Sequence, residues 1–261
     1  MSATYVLILA VVGFAAGTLG SIVGLGGGIL IIPVLAVYMG VPMHQAIGVS
    51  LMAVIATSTA TSSVNVERGV TDIRLGMTLE LATTLGAVAA AVIAGYVHRT
   101  TLAILFTCFL LYTGLSLLKR AWQGRYQKAE STIPPYDVRN YPAGMGAAFF
   151  AGGMSGLLGI GGGAVKVPVM YLFMGIPLRV ATATSNFMIG VTASASAFIY
   201  WGRGDVLMAL AAPIVVGVFA GSLTGARLAP KLRASYVLGI LIIVTLYLAS
   251  QMIAKIAEGK I

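Results

Sequence analysis

Charged side chains are scarce in this sequence: Asp, Glu, Lys and Arg together make up 9% of 261 residues, where a soluble globular chain carries about 25%. Hydrophobic residues make up 59%, and the mean hydropathy is +0.98. That leaves too little polar surface to coat a water-soluble fold of this length, so lipid is the expected solvent for most of the chain. Cysteine is almost missing. The lone Cys108 sits in an apolar run and excludes an intrachain disulfide, a zinc cluster or a redox pair. Two histidines, His44 and His98, are too few for a dedicated metal cluster, and no cofactor is expected. Polar runs are short as well. The longest, Lys119 to Tyr141, cannot hide a soluble catalytic domain. Acidic residues number 7 against 16 basic ones, a net charge of +9. In a membrane chain such an excess decorates cytoplasmic loops and asks for no nucleic acid partner. The N-terminus, Met1 to Gly20, is apolar but lacks the basic start of a signal peptide. Further apolar segments follow it, so it reads as a membrane segment of the mature protein.

What the sequence has in abundance is glycine, 33 residues of it, in a pattern that repeats. At a constant offset of 135, Gly24-Leu-Gly-Gly-Gly28 falls on Gly159-Ile-Gly-Gly-Gly163, Pro33 on Pro168, and Met39-Gly-Val-Pro42 on Met174-Gly-Ile-Pro177. Ala46 falls on Ala181, Ser50 on Ser185, and Arg68-Gly69 on Arg203-Gly204. Over 17–50 there are 12 identities without a gap, where composition alone would give roughly three or four. The chain therefore divides into a first repeat, 1–118, a polar loop, 119–141, and a second repeat, 142–261.

Each repeat shows the same layout of apolar segments: about 4–23, 28–40, 46–65, 74–97 and 100–118, then 142–158, 163–174, 181–201, 206–226 and 234–254. A span needs about 20 residues. The second segment of each repeat is too short and contains a proline, so with its predecessor it predicts a broken or re-entrant hairpin turning at the glycine triplet. The fold class expected is an all-α membrane protein of two homologous halves with about eight to ten membrane segments. If the short segments turn back, the halves are inverted. One side then holds Arg68, Arg74, Lys119, Arg120, Arg125, Lys128, Arg139, Arg179, Arg227, Lys231 and Arg233, and the other only Arg99, Arg203, Lys255 and Lys260. Parallel halves would divide the same residues ten to five, which also satisfies the positive-inside rule. The steeper bias favours inversion, a cytoplasmic central loop and both termini outside.

Candidate chemistry gathers around the triplets. At Gly26, Gly27, Gly28 and at Gly161, Gly162, Gly163 the absence of side chains permits a turn that leaves amide N–H groups free at the next helix start, an anion site by virtue of those donors and the helix dipole. Small-residue helix packing is the plainer explanation for scattered glycines, less so for a triplet and proline present twice. Lys166, where the first repeat has Ile31, is an ammonium within a membrane segment and would neutralise a bound anion; snorkelling to the interface is its structural alternative. The third segments are rich in hydroxyls. Most are expected to bond their own helix, but Ser50, Ser185 and Asn186 near the helix starts, with the aligned Thr57 and Thr192, are candidates to replace an oxyanion's water shell. Glu80, whose counterpart is Val215, is either a proton-coupling carboxylate or a structural partner for an arginine. Asp72 and Asp205 read as solvated loop-edge residues, and His44 and Arg179 as interfacial basic residues. Gly153-Met-Ser155-Gly156 matches the G-x-S-G of rhomboid-type intramembrane proteases. No histidine follows Ser155 to serve as its base, so an enzyme is not expected.

The pattern GxGGG with a proline five residues on, then a Gly-x-Pro loop and a Ser-rich helix, all of it twice, resembles the sulfite exporter TauE/SafE family over nearly the whole chain. The resemblance implies transport of sulfur-containing anions, with import of thiosulfate or a related compound as the runner-up to export of sulfite or sulfonates. The partners it implies are a small anionic substrate and the lipid bilayer of the cell (inner) membrane. Nothing in the sequence fixes the oligomeric state.

Overall fold

A computed structural model describes residues 3–24, 26–122, 135–231 and 234–259. They form helices and no strand. These are α1 (Ala3–Val23), α2 (Gly28–Pro33) continued by a π-helical turn (Val34–Tyr38), α3 (Met43–Glu67), α4 (Ile73–Ala94), α5 (Arg99–Trp122), α6 (Tyr141–Leu158), α7 (Gly163–Leu172), α8 (Leu178–Gly202), α9 (Met208–Leu228), a 3₁₀ turn (Ala229–Lys231) and α10 (Ala234–Ala257). Among the described residues, 6 helices are long and apolar enough to cross a membrane: α1, α3, α4, α5, α9 and α10. The short helices Gly28–Tyr38 and Gly163–Leu172 fall where the sequence places its short segments. Lys119 to Asn140 contributes the end of α5 and the coil 135–140; residues 123–134 of the central loop lie outside the described residues.

Local chemistry sets the helix ends. Pro42 and Pro177 stand just before α3 and α8 in extended conformation, φ −54° and −53°, where a proline starts a helix without losing an amide bond. Asp72 caps α4 by accepting from the Leu75 amide. Its other oxygen accepts from Tyr136 Oη at 2.9 Å, and its own amide donates to Thr184 Oγ1 at 3.0 Å. Asp72 is thus a structural junction rather than a solvated edge. Burial and this carboxylate push the Tyr136 phenol up to about 12. At its far end, α1 stops where Gly24 takes a positive φ of 78°, and α6 stops at Gly159 with φ 68°.

The long helices pack through glycine. A methyl group at Gly17 or Gly221 of the α1–α9 pair would strike the Val218 or Phe14 carbonyl; at Gly152 or Gly86 of the α6–α4 pair it would strike the Thr83 or Phe149 carbonyl. These are the same contacts 135 residues apart. In both pairs the partners run parallel, since contacts advance along both helices together. The central pair, α3 and α8, runs antiparallel. Gly48, at the start of α3, abuts Asp205 beyond the end of α8, whereas Asp72, beyond the end of α3, bonds Thr184 at the start of α8. Arg68 caps α3 and donates to the Ala226 carbonyl at 2.9 Å; Arg203 caps α8 and donates to the Ala91 carbonyl at 2.6 Å. These too are one contact in two copies, at opposite ends of the bundle. Large apolar side chains such as Leu81, Phe150, Phe198 and Ile243 point outward, as a lipid solvent permits.

The close backbone approach makes a sharp contrast testable. Gly152→Ala places a methyl on the Thr83 carbonyl, whereas Gly146→Ala meets nothing within 4 Å. Overpacking of this kind costs about 1–3 kcal/mol. The first variant is expected to lower the thermal unfolding midpoint of detergent-purified protein, and the second to leave it unchanged.

Candidate functional site

The two glycine turns meet at the crossing of α3 and α8. A Cβ at Gly28 would strike Ser50 Oγ and the Gly159 carbonyl; one at Gly163 would strike the Gly24 carbonyl and press on Ile189. The turns are thus laid against each other, backbone to backbone, with Val54 and Ile189 alongside. Neither helix start is capped by a side chain: the residues before α2 and α7, Gly27 and Gly162, make no side-chain cap bond. Gly162 holds φ 73°, a conformation costly for any other residue, and a side chain there would also meet the Ala151 carbonyl. Gly26, Gly27, Gly28, Gly161, Gly162 and Gly163 are all buried. Packing, the plainer of the two explanations read from the sequence, is therefore fully at work here.

The two turns differ in what surrounds them. Lys166 points inward from the first turn of α7 and is 3% exposed. Its ammonium donates to Thr192 Oγ1 on α8 at 2.9 Å, and Thr192 donates to Glu80 Oε1 on α4 at 2.6 Å. The ammonium lies 3.8 Å from the second carboxylate oxygen, Oε2. Thr84 also donates to Oε1, at 3.1 Å, whereas Oε2 is buried with no hydrogen-bond partner. Lys166 does not snorkel, and the partner of Glu80 is this lysine rather than an arginine. An isolated ammonium at a helix centre in the membrane costs about 2.5–3.5 kcal/mol on insertion scales, which gives the pairing its physical reason.

The sequence identified each residue but not the pair, because 86 positions separate them on different helices. A signal was present: both charges stand where the other repeat carries an aliphatic residue, Ile31 and Val215. The repeats depart from each other in charge at two buried positions that touch.

The hydroxyl candidates divide. Ser50 Oγ donates to the Gly159 carbonyl at 2.8 Å and so ties α3 to the second turn. Its equivalent, Ser185, is fully buried with Oγ unpartnered, beside Gly163. Thr57 bonds its own helix at the Ala53 carbonyl, the local role expected of most such residues; Thr192 lies 3.1 Å from the Met188 carbonyl of its own helix in the same way and also bridges the ion pair. Asn186 is buried; its carboxamide oxygen faces Gly24 and its carbonyl accepts from Ser58. His44 Nε2 lies 3.1 Å from the Ala94 carbonyl, away from the turns. Ser155 is fully buried and its Oγ has no hydrogen-bond partner, so no base stands within reach of it.

Space at the site is minimal. A cavity of about 10 Å³, room for about one water, lies among Lys166, Leu79, Ala148, Met170, Met174 and Met188. A second of the same size adjoins Gly163 and Val23. Met174, at the outer end of the first cavity, bonds the central-loop segment through its carbonyl and the Arg139 amide. The seam from Lys166 toward that face is therefore filled with flexible thioethers, side chains that repack readily.

The profile of the sulfite exporter TauE/SafE family matches residues 9–252. A protein of Bacillus subtilis (strain 168) named "Probable membrane transporter protein YunE" is 30% identical over 265 residues, covering 95% of this chain and 97% of that one. A probable membrane transporter protein of Xylella fastidiosa (strain 9a5c) is 29% identical, covering 86% of this chain and 83% of its own. One from Methanocaldococcus jannaschii is 24% identical over 90% of this chain and 92% of its own. No solved structure gives a significant match.

The ion pair has a direct energetic test. Lys166→Met alone leaves a buried carboxylate uncompensated, which costs about 3–5 kcal/mol. The double change Lys166→Ile with Glu80→Val places at these positions the residues of their equivalents, Ile31 and Val215, and is expected to restore the thermal midpoint to within a few degrees of the parent. A double variant whose loss equals the sum of the Lys166→Ile and Glu80→Val single losses would show that the two groups are not coupled.

Proposed function

Because the chain belongs to the sulfite exporter TauE/SafE family, we propose that it carries small sulfur-containing oxyanions of the sulfite or sulfonate type across the cell (inner) membrane, exporting them by alternating access. The observation that carries this reading is the start of α7: a buried helix N-terminus with no side-chain cap, the Lys166 ammonium one turn inside it and the unpartnered hydroxyl of Ser185 beside it. Amide dipoles, a cation and hydroxyl donors are the groups that replace an oxyanion's water. Ser50, Asn186, Thr57 and the first triplet line the opposite side of the same crossing.

The two repeats act as an inverted pair, each with a re-entrant hairpin. The antiparallel course of α3 and α8 supports this, as does the return of each short helix from the buried turn. Rocking one repeat against the other then opens the crossing to each side in turn. The closed packing around the turns corresponds to the occluded step between those openings. Arg68, Arg74, Arg139, Arg179 and Arg227 fall at one end of the bundle, with the central loop, and that end is cytoplasmic by the positive-inside rule. With the interior negative, exit of a monovalent anion that crosses alone is favoured by about 2.3 kcal/mol per 100 mV, whereas one that crosses with a proton gains nothing from the potential and follows the anion and proton gradients. Import of thiosulfate or a related compound is the second reading; the carboxylate of Glu80, joined to the site through Thr192, supplies the coupling group it would need.

Purified protein in liposomes is expected to move sulfite or sulfonates well above protein-free vesicles in a panel that also contains sulfate and thiosulfate; no flux of any of the four would overturn the reading. For orientation, Asp137→Cys and His98→Cys in a Cys108→Ser background place single thiols at opposite ends. In intact cells an impermeant maleimide is expected to label the His98 variant only.

A further inference from the structure

Lys166 is shared between two claims. The start of α7 lies beside it: a side chain at Gly162 would come within 3.5 Å of its Cε. Thr192 and Glu80 already hold its ammonium from the other side, at 2.9 Å and 3.8 Å. With the pair intact the site is neutral, and an entering monoanion would leave it with a net negative charge in a buried, low-dielectric place. Such a charge is not sustained; the group that can take up a proton does so.

We propose that Glu80 is the proton-binding residue of this transporter and that one proton crosses with each monovalent anion. This rests on the anion site proposed above. The exchange balances in atoms and charge. The anion takes the Lys166 ammonium, the carboxylate of Glu80 is released from it, and a proton from water on the open side binds Oε2. The products are a lysine–anion pair and a neutral carboxylic acid. On the far side the anion leaves, the proton returns to water, and the lysine–glutamate pair re-forms. Anion and proton travel in the same direction, so a monoanion moves without net charge.

Two features of the site favour this role over a purely structural pair. Oε2 is buried and has no hydrogen-bond partner, so it has room in its bonding for a proton, while Oε1 is held by Thr192 and Thr84. The pair also joins the two repeats at one of two equivalent places, Glu80 from the first and Lys166 from the second, whereas the equivalent positions, Ile31 and Val215, carry aliphatic side chains. The titratable surroundings are simple. On α7, α8, α6 and α4 the remaining ionisable groups are Tyr171, Arg179, Tyr200, Tyr141 and Arg74, and none of them is within bonding reach of Glu80. Lys166 is the cation that Glu80 faces. The methionine seam of Met170, Met174 and Met188 marks the route by which water and the proton would arrive from the central-loop end.

The test follows proton and anion together. Proteoliposomes holding a lumenal pH dye receive external methanesulfonate, a monoanion that does not titrate near neutrality, with thiosulfate run in parallel and the membrane potential clamped by potassium and valinomycin. The parent protein is expected to acidify the lumen by about one proton per methanesulfonate that enters, as charge neutrality of the site requires. Glu80→Gln is expected to abolish the acidification, and Glu80→Asp to retain it. The double variant Lys166→Ile with Glu80→Val, which carries the aliphatic residues of the equivalent positions 31 and 215, guards against misfolding and is also expected to give no acidification. Anion entry without lumenal acidification, or acidification that persists in Glu80→Gln, would overturn the coupling and leave the transport reading standing. Entry of neither anion, with none of the panel moving, would overturn both.

Discussion

Two stretches of chain without side chains lie back to back at the centre of the bundle, and the longer helices are arranged around that contact. Gly28 rests on the Gly159 carbonyl and Gly163 on the Gly24 carbonyl, so a side chain at either residue would force the two turns apart. The approach is closest where hydrogen bonding must also be settled, because a helix start leaves amides unmet. Ser50 settles one demand by bonding the Gly159 carbonyl. Its equivalent, Ser185, bonds nothing. The same glycine logic recurs outward, where Gly17 and Gly221 seat α1 on α9 and Gly152 and Gly86 seat α6 on α4. Between membrane helices lipid offers no hydrophobic reward for association, so close backbone packing of this kind is what holds them.

Symmetry of backbone is combined with asymmetry of chemistry. The first repeat carries Ile31 and Thr57 where the second carries Lys166 and Thr192, and the second carries Val215 where the first carries Glu80; Thr192 bridges the charged pair. Family membership assigns the chain to membrane transporters, and the proposed function places its anion at this asymmetry.

Much of the architecture was legible in the sequence because membrane helices announce themselves by composition. Segment positions and the short second segments follow from apolar runs and from where Gly and Pro interrupt them. The antiparallel course of α3 and α8 was foreshadowed only by charge, through the unequal share of Lys and Arg between alternate loops. Side-chain partnerships were harder to read. Asp72 looks like a loop residue until Tyr136 and Thr184 are seen on either side of it. Glu80 and Lys166 lie on helices whose adjacency depends on the fold, and nothing local to either names the other. The tight burial of the triplets was also hidden, since a glycine that frees an amide and a glycine that admits a neighbour are spelled alike.

The presence of the ion pair at only one of two equivalent places bears on how the molecule partitions its time. If two halves were identical and traded shapes, the arrangements open to either side would be mirror images with equal free energy, and neither would be preferred. A carboxylate from one half and an ammonium from the other, with Ile31 and Val215 at the equivalent positions, lift that degeneracy. The resting population is then tilted by electrostatics inside the protein itself, before any gradient acts on it.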